Sequence, residues 1–247
     1  MQHKIVRAGP LTTHLIDLGV AEGARPKTLV VLCHGFGAPG TDLVPLAGEI
    51  AQLSRKVSGV RFAFPEAPLD LADIGYFGAR AWFPIDVERL MTEGPSGRAG
   101  ELALAAPPGM DNAKRALTKA VEALLADAGL PYGRLVLGGF SQGAMMAIEL
   151  ALAADEGPAA LWAWSPALVD KEAMLRRAPR RAGLPTYISH GRQDAILPFA
   201  GAEELARLLG EAGLDVRFAP FSGPHTIPAD AIEQAARSLI ALADTTT

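Results

Sequence analysis

The stretch that most constrains this chain is Leu135-Val136-Leu137-Gly138-Gly139-Phe140-Ser141-Gln142-Gly143-Ala144. Its apolar opening reads as a buried strand. The strand breaks at Gly139-Phe140-Ser141-Gln142-Gly143, and Ala144-Met145-Met146-Ala147-Ile148 reads as the start of a helix. A G-x-S-x-G pattern between a strand and a helix is the setting of a nucleophilic serine on a sharp turn. The flanking glycines are needed for two reasons. A side chain at either would crowd the strand or the helix, and glycine accepts unusual backbone angles. The turn raises Ser141 above the sheet. It also sets the free N–H groups of a helix N-terminus beside any oxyanion that forms. The pattern is short and also fits a glycine-bracketed serine in an ordinary turn, so the rest of the chain must supply a base and an acid.

On both sides of this turn, strand-like and helix-like segments alternate. Lys4 to Arg7 and His14 to Leu18, separated by Gly9-Pro10, read as an antiparallel hairpin at a sheet edge. Thr28 to Cys33 is the continuous apolar run of a strand covered on both faces. It ends in the glycine-rich loop His34-Gly35-Phe36-Gly37-Ala38-Pro39-Gly40. Asp42 is the expected cap of a helix with apolar positions at Leu43, Leu46, Ile50 and Leu53. Val60 to Phe64 is a further strand, stopped by Pro65. From Pro65 to Gly109 the periodicity fails, apart from a short helix expected at Leu102 to Ala106. A long irregular stretch of this kind is usually functional, so a lid or substrate loop is expected at about 66–110. Asp111 is expected to cap a helix with Ala116, Leu117, Ala120, Val121, Leu124 and Leu125 on one face, closed by Gly129. Strands at Ala159 to Trp164, Pro185 to His190 and Asp215 to Phe221 follow the central turn. Helices at about Lys171 to Ala178, Phe199 to Leu209 and Ala231 to Ala243 alternate with them, and Thr245 to Thr247 are expected to fray.

With no linker and no repeat, this order describes one α/β domain over residues 1–247, with a mostly parallel central sheet and helices on both faces. Ligands of such sheets sit beyond the carboxyl ends of the strands. His34-Gly35-Phe36, Ser141, Asp194 and His225 each lie just after a strand, Asp194 four residues past its own.

A serine hydroxyl is a weak nucleophile and needs an adjacent base. Of the five histidines, His3 and His14 lie in the hairpin. His34 opens the glycine loop, where it organises backbone, and His190 ends a strand in a structural role. His225 follows the last strand and comes after the serine and the acid, as the chain order of such hydrolases requires. The acid must then lie between Ser141 and His225. Asp155 belongs to the end of the central helix, and Asp215 opens a strand at the wrong edge of the sheet. Asp194, in the turn Gly191-Arg192-Gln193-Asp194, is favoured, with Asp170 as the alternative. Glu203 and Glu204 fall on a helix and read as solvated. Two N–H donors complete an oxyanion hole. Gln142, after the serine, supplies one, and the loop after the earlier strand supplies the other, at Phe36.

The motifs Leu32-Cys33-His34-Gly35-Phe36-Gly37, Phe64-Pro65-Glu66-Ala67-Pro68, Ala81-Trp82-Phe83, Gly139-Phe140-Ser141-Gln142-Gly143 and Ser189-His190-Gly191-Arg192-Gln193-Asp194, with the His225 loop, run in order over nearly the whole chain. Together they resemble the phospholipase/carboxylesterase family. The resemblance implies an α/β-hydrolase fold, no cofactor and no metal, and cleavage of carboxylic esters, thioesters or lysophospholipids through an acyl-enzyme. By motif position it implies Ser141, Asp194 and His225 as the triad and Phe36 and Gln142 as N–H donors. It also suggests that Trp82 lines the substrate site. Tyr76, Phe77 and Phe83 are expected beside Trp82 on the pocket wall, although core packing would equally account for Phe77 and Phe83. Two departures lie near the substrate. The segment from Asp86 to Met110 looks longer than in short thioesterases. The loop after His34 reads Gly-Phe-Gly-Ala-Pro-Gly rather than the more usual Gly-Leu-Gly-Asp-[ST]-Gly type.

Composition excludes other classes. A net charge of −4 and a pI near 5.8 leave no nucleic-acid footprint, and Arg176, Arg177, Arg180 and Arg181 read as a solvated face. The single cysteine, Cys33, permits no internal disulfide and fits a reducing compartment. It lies in an apolar strand, as a buried inert thiol does. The first residues lack the apolar core of a secretion signal, and no run is long enough to span a bilayer. The expectation is therefore a cytoplasmic enzyme without stable membrane insertion, acting on a small-molecule ester or thioester. A homodimer is admitted by the resemblance, with no interface identified. Rival readings are an acyltransferase or a peptide or amide hydrolase on the same triad, or a non-catalytic binding protein, whose mark would be a missing triad member. A dienelactone-hydrolase-like enzyme would need a cysteine nucleophile, and Cys33 is on a different strand.

Overall fold

In the computed structural model, residues 3–85 and 106–244 are described. Residues 102–105 of the expected helix, residues 86–105 of the 66–110 region and the terminal Thr245 to Thr247 lie outside them. The described strands are β1 (His3–Ala8), β2 (Leu11–Leu18), β3 (Thr28–Cys33), β4 (Val60–Pro65), β5 (Leu69–Asp70), β6 (Arg80–Ala81), β7 (Leu135–Phe140), β8 (Ala160–Trp164), β9 (Pro185–Gly191) and β10 (Asp215–Phe221). Eight of them form one sheet in the order β1-β2-β4-β3-β7-β8-β9-β10, and β5 pairs with β6 apart from it. The β1–β2 and β2–β4 pairings are antiparallel, and every pairing from β4 to β10 is parallel. The described helices are α1 (Pro45–Leu53), α2 (Met110–Ala128), α3 (Gln142–Ala153), α4 (Lys171–Arg177), α5 (Phe199–Glu211) and α6 (Ala229–Asp244).

The central strands are apolar throughout because both faces are covered. On β3, Leu29, Val31 and Cys33 enter the core shared with α2, α3, α4 and α5, whereas Val30 and Leu32 enter the core shared with α1 and α6. On β8, Leu161 and Ala163 take the first side and Trp162 and Trp164 the second. Burial pushes the Cys33 thiol well above its ordinary pKa, in keeping with an inert residue.

Three local expectations are corrected. Asp42 does not cap the first helix. It lies in a turn whose Asp42 N–H bonds to Pro39 O, and the helix begins at Pro45, where a missing N–H costs nothing. Asp111 sits inside the first turn of α2, paired with Lys114 at 2.9 Å, and Gly109 takes the capping position at a φ of 82°. The arginine cluster is not simply solvated. Arg177 pairs with the buried Glu149 at 2.9 Å. The buried Arg181 donates from Nε to Ala151 O at 2.7 Å and also binds Ala154 O, so it caps the carbonyl end of α3. Gly129 ends α2 in the left-handed conformation, as expected. Among the described residues, the aperiodic stretch after Pro65 contains the β5–β6 ribbon and a 3₁₀ turn at Ala72–Ile74.

Replacing Arg181 by Met keeps the apolar stem and removes both bonds to the helix end. Charged hydrogen bonds of this kind are each worth roughly 1.5–3 kcal/mol. A loss of about 3 kcal/mol, the lower end for two such bonds, or roughly 6–12 °C in Tm for a chain of this size, is expected by thermal unfolding. An unchanged Tm would restore the solvated reading of this side chain.

Candidate active site

Ser141 follows β7 directly, at φ 55° and ψ −120°. Such a conformation costs a non-glycine residue about 1–3 kcal/mol and persists only where its surroundings over-determine it. Here the Ser141 N–H donates to Trp164 O at 2.9 Å, and its carbonyl accepts from Ala144 and Met145 in the first turn of α3. The flanking glycines are required by space alone, since neither has a positive φ. A Cβ at Gly143 would strike the Cys33 and His34 carbonyl oxygens, and one at Gly139 would strike the Gly143 backbone and Cys33 O.

The strand ends set the other candidates around this turn. Cys33 is in register with Gly139, Phe140 with Trp164, Trp164 with Ser189, and Gly191 with Phe221. The loops after β3, β7, β9 and β10 therefore emerge together. A Cβ on Gly35 would touch the Phe140 ring and Ser141 Cβ at 3.4 Å, so the loop carrying Phe36 lies against the serine. Gln142 is the first residue of α3, and its N–H has no acceptor within the helix.

Asp194 and His225, 31 residues apart, meet through a 2.6 Å hydrogen bond from His225 Nδ1 to Asp194 Oδ2. The proton is assigned to Nδ1 because the partner is a carboxylate, which leaves Nε2 with a lone pair. The His225 ring packs 4.7 Å from the Phe140 ring, beside the serine. The next residue is held too, with Ser165 Oγ donating to Thr226 O at 3.2 Å. Asp170 is engaged elsewhere: its carboxylate caps α4 by accepting the Ala173 N–H.

The Asp194 side chain is fully enclosed. Burial by itself would raise its pKa. The hydrogen bonds from His190, His225 and the Leu197 N–H outweigh that and hold the carboxyl well below the usual range. The contribution of His190 was not read from the sequence. Its Nε2 lies 3.2 Å from Asp194 Oδ2 and 2.9 Å from Leu197 O. Both are acceptors, so Nε2 carries the proton and the buried Nδ1 is left without a partner. The i, i+4 spacing of His190 and Asp194 was the only signal in the sequence. Asp194 Oδ1 accepts from the Ile196 and Leu197 N–H groups at 2.9 and 2.8 Å.

His34 organises backbone, as expected. Its Nδ1 donates to Gly35 O at 2.8 Å, and its Nε2 accepts from the Ala67 N–H at 3.1 Å. Burial lowers its pKa, which keeps the ring neutral. The expected substrate wall is not assembled as one surface. Trp82 and Phe83 are enclosed, at 1% and 0% exposure, whereas Tyr76 and Phe77 project into solvent at 56% and 87%. The indole of Trp82 is held inward by donating from Nε1 to His34 O at 2.9 Å. Among the described residues, no cluster of His, Cys, Asp or Glu is arranged to hold a metal ion, and no helix is long and apolar enough to cross a membrane.

A depressed folded-state pKa means that the Asp194 carboxylate stabilises the fold fully above its unfolded value of about 3.9. That contribution is lost as the pH falls below this value towards the folded one. Urea unfolding from pH 7 to pH 3 is expected to show Asp194→Asn destabilised at neutral pH, with the difference from the unaltered protein shrinking as the solution is acidified. A difference that does not vary with pH would contradict the charge-based account.

The chain matches the model of the Phospholipase/Carboxylesterase family over residues 18–242. It is 28% identical over 190 residues to acyl-protein thioesterase 1 of Eremothecium gossypii, covering 76% of this chain and 75% of that protein. It is 27% identical over 227 residues to acyl-protein thioesterase 1 of Mycosarcoma maydis, covering 89% and 91%. The crystal structure of esterase PE8 superposes with a TM-score of 0.76 at 30% identity, over 93% of this chain and 97% of that one. A family match that begins at the end of β2 and runs to the last helix, on a sheet of this order, means that the chain belongs to the phospholipase/carboxylesterase family of α/β-hydrolases and is a hydrolase of the esterase and thioesterase type.

Proposed function

We propose that Ser141, His225 and Asp194 form a catalytic triad that hydrolyses small-molecule carboxylic esters or thioesters through an acyl-enzyme. The observation that carries this reading is the 2.6 Å bond between His225 Nδ1 and an enclosed, ionised Asp194, at the strand ends that also hold the strained Ser141.

The reaction follows from these contacts. His225 Nε2 takes the Ser141 Oγ proton as Oγ attacks the acyl carbonyl carbon. Asp194 stabilises the resulting imidazolium and keeps the ring in the required tautomer. The tetrahedral oxyanion accepts hydrogen bonds from the Phe36 and Gln142 N–H groups. His225 then protonates the departing alkoxide or thiolate, leaving an acyl ester on Ser141. Water, deprotonated by the same imidazole, attacks that ester. The acid is released and the Ser141 hydroxyl is restored. The similarity to acyl-protein thioesterases supports thioesters beside oxygen esters.

Fluorophosphonate labelling and a p-nitrophenyl ester series, run beside thioesters of the same acyl groups, test the assignment. Ser141→Ala is expected to abolish labelling and to lower kcat by on the order of 10⁶. Asp194→Asn is expected to lower it by on the order of 10⁴, because the imidazole loses its enforced tautomer. Near-normal turnover by the Ser141→Ala protein would sink the triad.

A further inference from the structure

We propose that the side chain of Gln142 positions the oxyanion hole, by clamping the Arg80–Phe83 segment between the two loops that carry the N–H donors. The inference rests on the proposed acyl-transfer chemistry of Ser141. The Phe36 and Gln142 N–H groups belong to loops that follow different strands, β3 and β7. Two donors stabilise an oxyanion only if both lie about 2.7–3.1 Å from the position it takes. Their separation therefore has to be held by something that touches both loops.

The Arg80–Phe83 segment does so. On one side it is gripped by the carboxamide of Gln142, which is 0% exposed. Gln142 Oε1 accepts from the Trp82 N–H at 2.8 Å, and Nε2 donates to Phe83 O at 2.7 Å. The carboxamide thus serves the segment as a neighbouring strand would. On the other side, the segment bonds to the glycine loop before and after Phe36. Trp82 Nε1 donates to His34 O at 2.9 Å. The Gly37 N–H donates to Arg80 O at 2.9 Å, and the Arg80 N–H to Ala38 O at 3.1 Å. Arg80 Nε donates to Ala67 O at 2.6 Å, and the Ala67 N–H bonds to His34 Nε2. Four consecutive residues thus tie one donor loop to the side chain of the residue that carries the other donor.

Filling the core does not account for a glutamine here. An enclosed amide is costly unless its groups are paired, whereas a methionine would occupy nearly the same volume without that demand. What the amide adds is direction. Because the catalytic donor is the backbone N–H, altering the side chain leaves the donor in place and changes only how it is held.

Gln142→Met is the test, compared with the unaltered protein on p-nitrophenyl acetate. Loss of a whole donor costs about 10²–10³ in kcat, so misplacement is expected to cost about 10- to 100-fold. KM should stay within about threefold, because ground-state binding does not use the oxyanion geometry. The affinity for a boronic acid that forms a tetrahedral adduct on Ser141 should fall in parallel with kcat, and that for the carboxylate product should not. A raised KM at unchanged kcat, or a lowered kcat with unaltered boronate affinity, would overturn the proposal. Trp82→Phe removes only the indole N–H at the other end of the segment. It should give the same pattern at smaller amplitude, and it decides the matter if the methionine variant does not fold. Failure of the triad assignment looks different, because the unaltered protein would then neither turn over esters nor label at Ser141.

Discussion

The site depends on how closely α3 approaches the end of β3. Cys33 and Gly139 are in register on adjacent parallel strands, and Gly143 lies directly against the Cys33 and His34 carbonyls. No side chain fits at Gly139 or Gly143. That approach forces the chain to reverse at Ser141, which takes up a conformation unfavourable for any residue with a Cβ. The strain is held by the Trp164 carbonyl on one side and by the first turn of α3 on the other. The conformation of Ser141 is therefore set by the packing of its neighbours and not by its own preferences.

A second constraint is electrostatic. Enclosing a carboxylate costs several kcal/mol unless its lone pairs are engaged. Asp194 accepts from two backbone N–H groups on Oδ1 and from two imidazoles on Oδ2. The two imidazoles differ in role because they differ in setting. The ring of His190 is wholly buried, with Nε2 shared between a carboxylate and a carbonyl. The ring of His225 is 10% exposed and bonds to Asp194 through Nδ1. His190 thus grips the carboxylate from within the core, and His225 bonds to it from the partly open side.

Much of the sheet was legible because strand and helix periods are local. Thr28 to Cys33, Pro185 to His190 and Asp215 to Phe221 were placed within about a residue, and so was the stop at Gly129. The helix starts were less legible. Asp42 and Asp111 are acidic residues near a helix start, a composition shared by caps, first turns and preceding loops. Only the backbone angles separate these cases. Arg181 was misread because charge argues for solvent, whereas the carbonyls it caps belong to a helix about 30 residues earlier. Trp82 and Phe83, two aromatics in an aperiodic stretch, read as a pocket wall because no local signal shows that Gln142 draws their backbone inward.

What the sequence by itself determined was the order of the candidate residues: a serine in a glycine-bracketed turn, then aspartates, then a histidine, with the favoured residue of each kind near a strand end. Turn sterics and hydrophobic period act over a few residues, so they can be read along the chain. Tertiary structure alone decided which carboxylate serves the histidine, since Asp170 caps a helix while Asp194 meets His225. It alone brought His190 to that carboxylate and Gln142 to the Arg80–Phe83 segment. Those contacts depend on strand register and on loops that follow different strands. Register is settled by packing across the whole sheet, where burying one face rules out every other alignment.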